Sequence, residues 1–150
     1  MTHSDVPLTW FLRSTALVLL SATAAVFMPT AWMSTIHDWL GLGPFPDAPL
    51  VQYLTRSVSL LYAFAGAGYW FMSYDVRRYL PLLRFTIPCT VVFDIVIVAI
   101  DVWIEMPTAW IIGEGVSVTA WTIVLWWLVR TEPNASAQDD ASFANASDSD

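Results

Sequence analysis

Hydrophobic positions in this chain come in long unbroken blocks, without the short alternation of a soluble fold. Four blocks stand out: Trp10 to Met28, Leu50 to Ser73, Phe85 to Ile104, and Ala109 to Val129. Each approaches or exceeds the ~20 residues needed to cross a ~30 Å hydrocarbon core. Buried strands or core helices would be shorter and more often interrupted by polar residues. The pattern predicts an all-α polytopic membrane protein, a four-transmembrane-helix bundle over residues 10–130. A polar, frayed N-terminus is expected at 1–9. A disordered acidic tail is expected at 131–150, where Ala, Ser, Asn and Asp cannot bury a core.

The first block has the outline of a signal peptide, with Arg13 before STALVLLSATAA and an A-x-A site at Ala22 to Ala24. Apolar residues extend it on both sides, through Trp10, Phe11 and Leu12 upstream and Val26, Phe27 and Met28 downstream. An uncleaved first helix is therefore expected.

Arginine placement orients the blocks. Arg77, Arg78 and Arg84 flank the second connection, and Arg13 and Arg130 fall on the same side if the helices alternate. Short cytoplasmic loops are enriched in Arg and Lys, so that side is read as cytoplasmic, with both termini inside a bacterial inner membrane. Arg77, Arg78 and Arg84 then act as topology determinants and lipid headgroup contacts. Aromatic placement agrees: Trp and Tyr cluster where the two interfaces should lie, and only Trp121 sits well inside a helix.

The first outer connection holds Gly41, Gly43, Pro44, Pro46 and Pro49, which predicts a turn-rich loop. Its front half, Ile36 to Leu42, could form a short interfacial helix. MPTAW occurs at Met28 to Trp32 and again at Met106 to Trp110. Either a duplicated hairpin or two similar interface turns would leave that echo. NAS triplets at 134 and 145 match a glycosylation acceptor but fall on the inner side.

Composition supports this class, with 57% hydrophobic and only 13% charged residues and a net charge of −7. The acidic balance and the lack of a basic cluster beyond Arg77-Arg78 argue against nucleic acid. A single cysteine, Cys89, excludes an internal disulfide and reads as a small apolar filler beside Pro88 at the head of the third helix. The chain carries no nucleophile elbow, zincin motif, Walker loop or Rossmann glycines, and no His-rich metal or haem set. No cofactor or metal is expected.

The exception to the apolar pattern is VVFDIVIVAIDVWIE, residues 91–105. At 3.6 residues per turn Thr90, Asp94, Val98, Asp101 and Glu105 share one stripe. The surrounding Leu, Ile, Val and Phe contribute about −4 to −7 kcal/mol toward insertion, against roughly +2.5 to +3.5 for one central aspartate. The stripe is therefore expected to face the bundle interior. Arg56, at the depth of Asp101 on the preceding helix, is the expected partner, since a guanidinium can bridge two carboxylates. Small residues on its face, Ser59, Ala63 and Gly66 or Ala67, would admit a close neighbour. Glu105, Glu114 in its GEG setting, and His37 would complete an outer-facing polar pocket. Asp94, near the midplane with no second arginine, is expected to hold a proton or to bond Thr90, Ser59 or Tyr62.

RRYLPLLR followed by DVWIEMPTAWIIGEG, within a four-helix plan, resembles small bacterial integral membrane proteins, loosely the DoxX-like group. The resemblance implies the architecture and brings no catalytic residues. The expected function is non-enzymatic: a bundle that binds a small ligand or lipid, or serves as a subunit of a membrane assembly or homo-oligomer. The alternatives are a proton- or ion-coupled transport component using Asp94, and a membrane enzyme on a hydrophobic substrate.

Overall fold

The computed structural model describes residues 5–131. Expectations for residues 1–4 and for the tail and its NAS triplets at 132–150 lie outside the described residues. The described chain is all helical, in six helices: α1 Asp5–Ser21, α2 Thr23–Phe27, α3 Thr30–Trp39, α4 Pro49–Met72, α5 Val76–Trp103 and α6 Thr108–Thr131. Three stretches are long and apolar enough to cross a membrane: Val6–Phe27, which combines α1 and α2, Val76–Trp103, and Thr108–Thr131. α4 matches them in length, but Gln52, Thr55, Arg56, Ser57 and Ser59 make its first half polar.

Helix boundaries depart from expectation where packing or proline intervenes. α1 starts at Asp5, inside the segment expected to fray, because Leu8 and Thr9 are buried and Leu8 stacks one turn from Leu12 in the core. α5 starts at Val76, well before Phe85, so Pro81 and Pro88 lie within the helix. Asp75 caps it, its carboxylate accepting from the Arg78 backbone N–H at 3.2 Å. Cys89 is exposed on this helix and fills no gap. The segment expected to form a short interfacial helix falls largely within α3, which begins six residues earlier than Ile36, and Gly41 and Gly43 turn the chain beyond it at φ 76°.

The two MPTAW copies adopt one local structure. Pro29 and Pro107 each stand just before a helix, and their carbonyls accept the backbone N–H of Trp32 and Trp110 at 3.0 and 2.8 Å. Proline's fixed φ and missing N–H suit it to a helix start. The motif therefore begins a helix in both places.

Packing divides the helices into two pairs. α4 runs antiparallel to α1 and α2, and α6 runs antiparallel to α5; α1 is the main link between the pairs. α1 and α4 approach closely at Gly66, where a Cβ would lie 2.9 Å from the Ala16 carbonyl oxygen and from the Leu20 nitrogen. Ala16 and Ala63 are buried beside it. The small face of α4 thus admits a close neighbour, as expected. That neighbour is α1, where α5 had been expected.

The apolar core gathers Leu8, Leu12, Val76, Leu80, Leu83, Leu125, Leu128 and Val129. These come from the starts of α1 and α5 and the end of α6, the end of the bundle that also carries Arg13, Arg77, Arg78, Arg84 and Arg130. Toward the opposite, acidic end the helices present exposed apolar side chains, including Val58, Ile95, Val102 and Val116.

Candidate functional site

The carboxyl stripe of α5 faces α6. Three steps run up one helix and down the other. The Thr119 hydroxyl donates to Asp94 Oδ2 at 2.6 Å. At Gly115 a Cβ would lie 3.2 Å from Val98 Cγ2, so the backbones approach there. Beyond it Asp101 of α5 and Glu114 of α6 are electrostatic neighbours across the helix pair. Asp101 is only 5% exposed. Trp110 Nε1–H donates to Glu114 Oε2 at 2.9 Å, one turn earlier on the same helix. Oδ1 of Asp94 and Oδ2 of Asp101 are buried without a hydrogen-bond partner among the described residues. Thr119, in place of Thr90, Ser59 or Tyr62, is thus the partner of Asp94.

Arg56 is engaged elsewhere than with Asp101. Its Nε–H donates to the Val26 carbonyl at 3.1 Å and its Nη2 to the Met28 carbonyl at 3.2 Å. Nη1 donates to Gln52 Oε1 at 3.3 Å. Pro29 ends α2, leaving last-turn carbonyls without helical donors, and a cation at a helix C-terminus also meets the favourable end of the dipole. Arg56 is a tertiary cap on that break, and the expected Arg56–Asp101 bridge does not form.

Two further expected members stand apart from the acids. Glu105 adopts φ 58°. The Glu105 and Met106 N–H groups donate to the Val102 and Asp101 carbonyls at 3.3 and 2.9 Å. This is the Schellman ending of α5, with Glu105 at the left-handed position. His37 Nδ1–H donates to the Gly43 carbonyl at 2.8 Å, and its ring meets Phe45 edge-on at 5.5 Å. It fastens its own loop.

Residues that sequence patterning overlooked build a second feature, a cleft of about 510 Å³ between the two helix pairs. Its walls are mostly apolar, with Phe11 and Val18 from α1, Phe93 from α5 and Trp121 from α6. Trp121 closes the arginine end: its Nε1–H donates to Thr15 Oγ1 at 2.9 Å, and its ring packs against Phe11 and Tyr69 at 5.8 and 5.6 Å. The Thr90 hydroxyl is spent on the Thr86 carbonyl of its own helix. Tyr62 and Tyr69 also line the cleft, and their hydroxyls make no hydrogen bond among the described residues. The one sequence signal for this feature was Trp121, the tryptophan out of place in the interfacial pattern.

Among the described residues no cluster of three or more His, Cys, Asp or Glu is arranged to hold a metal ion. No protein-family model, curated protein or solved structure matches the chain.

Proposed function

We propose that this is a non-enzymatic integral membrane protein whose cleft binds a lipophilic small molecule or lipid carrying a hydrogen-bond acceptor. The observation that carries the reading is the cleft itself. Its volume lies within the ~300–1,000 Å³ of small-molecule sites, and its lining is apolar with a few polar groups, as in such sites. The phenols of Tyr62 and Tyr69 supply donors not already used by the protein. A carbonyl or ester oxygen on an otherwise apolar ligand matches that pair. α4 serves as the fourth membrane crossing, since its length equals that of α6 and its polar first half turns toward the α2 break through Arg56. The arginine end is cytoplasmic, with both termini inside, in a bacterial inner membrane. The protein acts alone, as a homo-oligomer, or as a subunit of a larger assembly.

The test is native mass spectrometry of the full-length protein purified in mild detergent, followed by extraction of what it carries. An apolar, acceptor-bearing molecule should co-purify. Ala65→Phe, which fills the cleft wall, should lose it. Retention by a folded Ala65→Phe protein would defeat the proposal.

A second reading rests on the two unpartnered oxygens of Asp94 and Asp101, because polar groups buried among helices mark coupling sites. Under it, α5 and α6 carry a proton- or ion-coupled path. Reconstituted vesicles would then show pH-gradient-driven flux that Asp94→Asn abolishes, and absence of flux in wild-type vesicles rejects it.

A further inference from the structure

A groove of about 390 Å³ opens between α5 and α6 at the arginine end, on elements that do not form the cleft's Tyr62–Tyr69 wall. Arg84 and Arg130 stand at its rim, Ile87 and Val129 form its apolar floor, and Trp126 lines it as well. Antiparallel register brings the two arginines to one level from opposite helices. Arg130 lies over the Trp126 ring, 4.4 Å from guanidinium carbon to centroid. Stacking of this kind holds the guanidinium by its face and leaves its in-plane N–H groups free for an anion. Arg84 has neither a hydrogen bond nor an ion pair among the described residues. The nearest acid along α5, Asp75, is taken by the Arg78 backbone N–H.

We propose that this groove is a binding site for one anionic phospholipid, its phosphate held between Arg84 and Arg130 and its chain laid along Ile87 and Val129. Charge decides the headgroup. Two guanidinium groups with no ion pair among the described residues accept a phosphate bidentately, and a zwitterionic headgroup brings its own ammonium into the same space. The apolar floor decides for a lipid over a free phosphate ion, because inorganic phosphate would leave Ile87 and the Trp126 ring uncovered. Trp126 belongs at the headgroup level, where tryptophan is enriched in membrane proteins. The site is independent of the cleft: loss of the cleft ligand on filling Ala65 should leave it intact.

The experiment is native mass spectrometry of the delipidated full-length protein, titrated with phosphatidylglycerol and, separately, with phosphatidylcholine. Wild type should retain one phosphatidylglycerol in preference to phosphatidylcholine. Arg84→Gln and Arg130→Gln should each weaken it about five-fold, the factor that corresponds to the ~1 kcal/mol of one arginine at an anionic surface. The double variant should bind both lipids alike. Arg78→Gln, an exposed headgroup contact at the start of α5 and outside the groove, should leave the preference for one phosphatidylglycerol in place. Three results would overturn the assignment: equal retention of the two lipids by wild type, an equal loss in Arg78→Gln, or displacement of phosphatidylglycerol by millimolar inorganic phosphate. The wild-type comparison decides the matter even where a variant fails to fold.

Discussion

Thr119 and Asp94, twenty-five residues apart in sequence, are joined across α5 and α6 by a 2.6 Å hydrogen bond. The hydroxyl donates and the carboxyl accepts, so the bond forms whether or not the second oxygen carries a proton. It places Asp94 against protein, where the cost of a polar group in an apolar medium is reduced.

Substitutions on the two sides of that bond should be unequal. Thr119→Val leaves both oxygens of Asp94 without a partner, and stranding a buried polar group costs about 1–3 kcal/mol. Asp94→Asn keeps an acceptor oxygen for Thr119 and should shift stability by less than about 1 kcal/mol. Thermal unfolding followed by circular dichroism in detergent checks the order. A more damaging Asp94→Asn would mean that the carboxylate has a charged partner.

Arg56→Ala should loosen the α2–α3 junction and spare the α5–α6 pair. It strips donors from the Val26 and Met28 carbonyls. The expected loss is about 1–3 kcal/mol, with faster amide exchange confined to residues around Pro29. A double-mutant cycle between Arg56→Ala and Asp101→Asn should give a coupling near zero, as for residues with no shared partner. A coupling above about 1 kcal/mol would restore an Arg56–Asp101 bridge.

Glu105→Gly should raise stability. Glu105 holds φ 58° at a helix-ending position where glycine has no steric penalty. A left-handed non-glycine residue costs roughly 1–2 kcal/mol, so a gain of up to about 1 kcal/mol is expected after the entropy of the unfolded glycine. The unfolding midpoint measures it. A lower midpoint would give the carboxylate a role of its own.

Two glycines of α4 should respond differently to alanine. A methyl at Gly66 would stand 2.9 Å from two backbone atoms of α1, which cannot turn aside, whereas Gly68 has open space. Overpacking of this kind costs about 1–3 kcal/mol, so Gly66→Ala should fall well below Gly68→Ala in thermal stability. Equal midpoints would mean that α1 and α4 are further apart than described.

Block lengths in the sequence were enough to predict helices at all four apolar segments, because an uninterrupted apolar run of that length has few other solutions. The small face at Ser59, Ala63 and Gly66 was equally legible. Its partner was not. Arg56 and Asp101 stand at similar depths, and depth says nothing about which helices are neighbours. The connections before and after α5 are both short, so α4 and α6 were equally eligible to cover its acids. What decided between them is three-dimensional: Gly115 lets α6 approach Val98, while Gly66 draws α4 onto Ala16. The use of Arg56 as a cap was hidden for a related reason. It answers a break that Pro29 makes 27 residues earlier in the chain, visible only once α2 and α4 lie side by side.

Because the core ties the helix pairs together at the arginine end, the wall of the cleft beyond Trp121 includes side chains that face outward, Val18 at 71% exposure among them. A guest already dissolved among acyl chains would slip in sideways, never shedding a shell of water. Occupancy would then follow its mole fraction in the leaflet, and titrations expressed as aqueous concentration would misstate how tightly it is held.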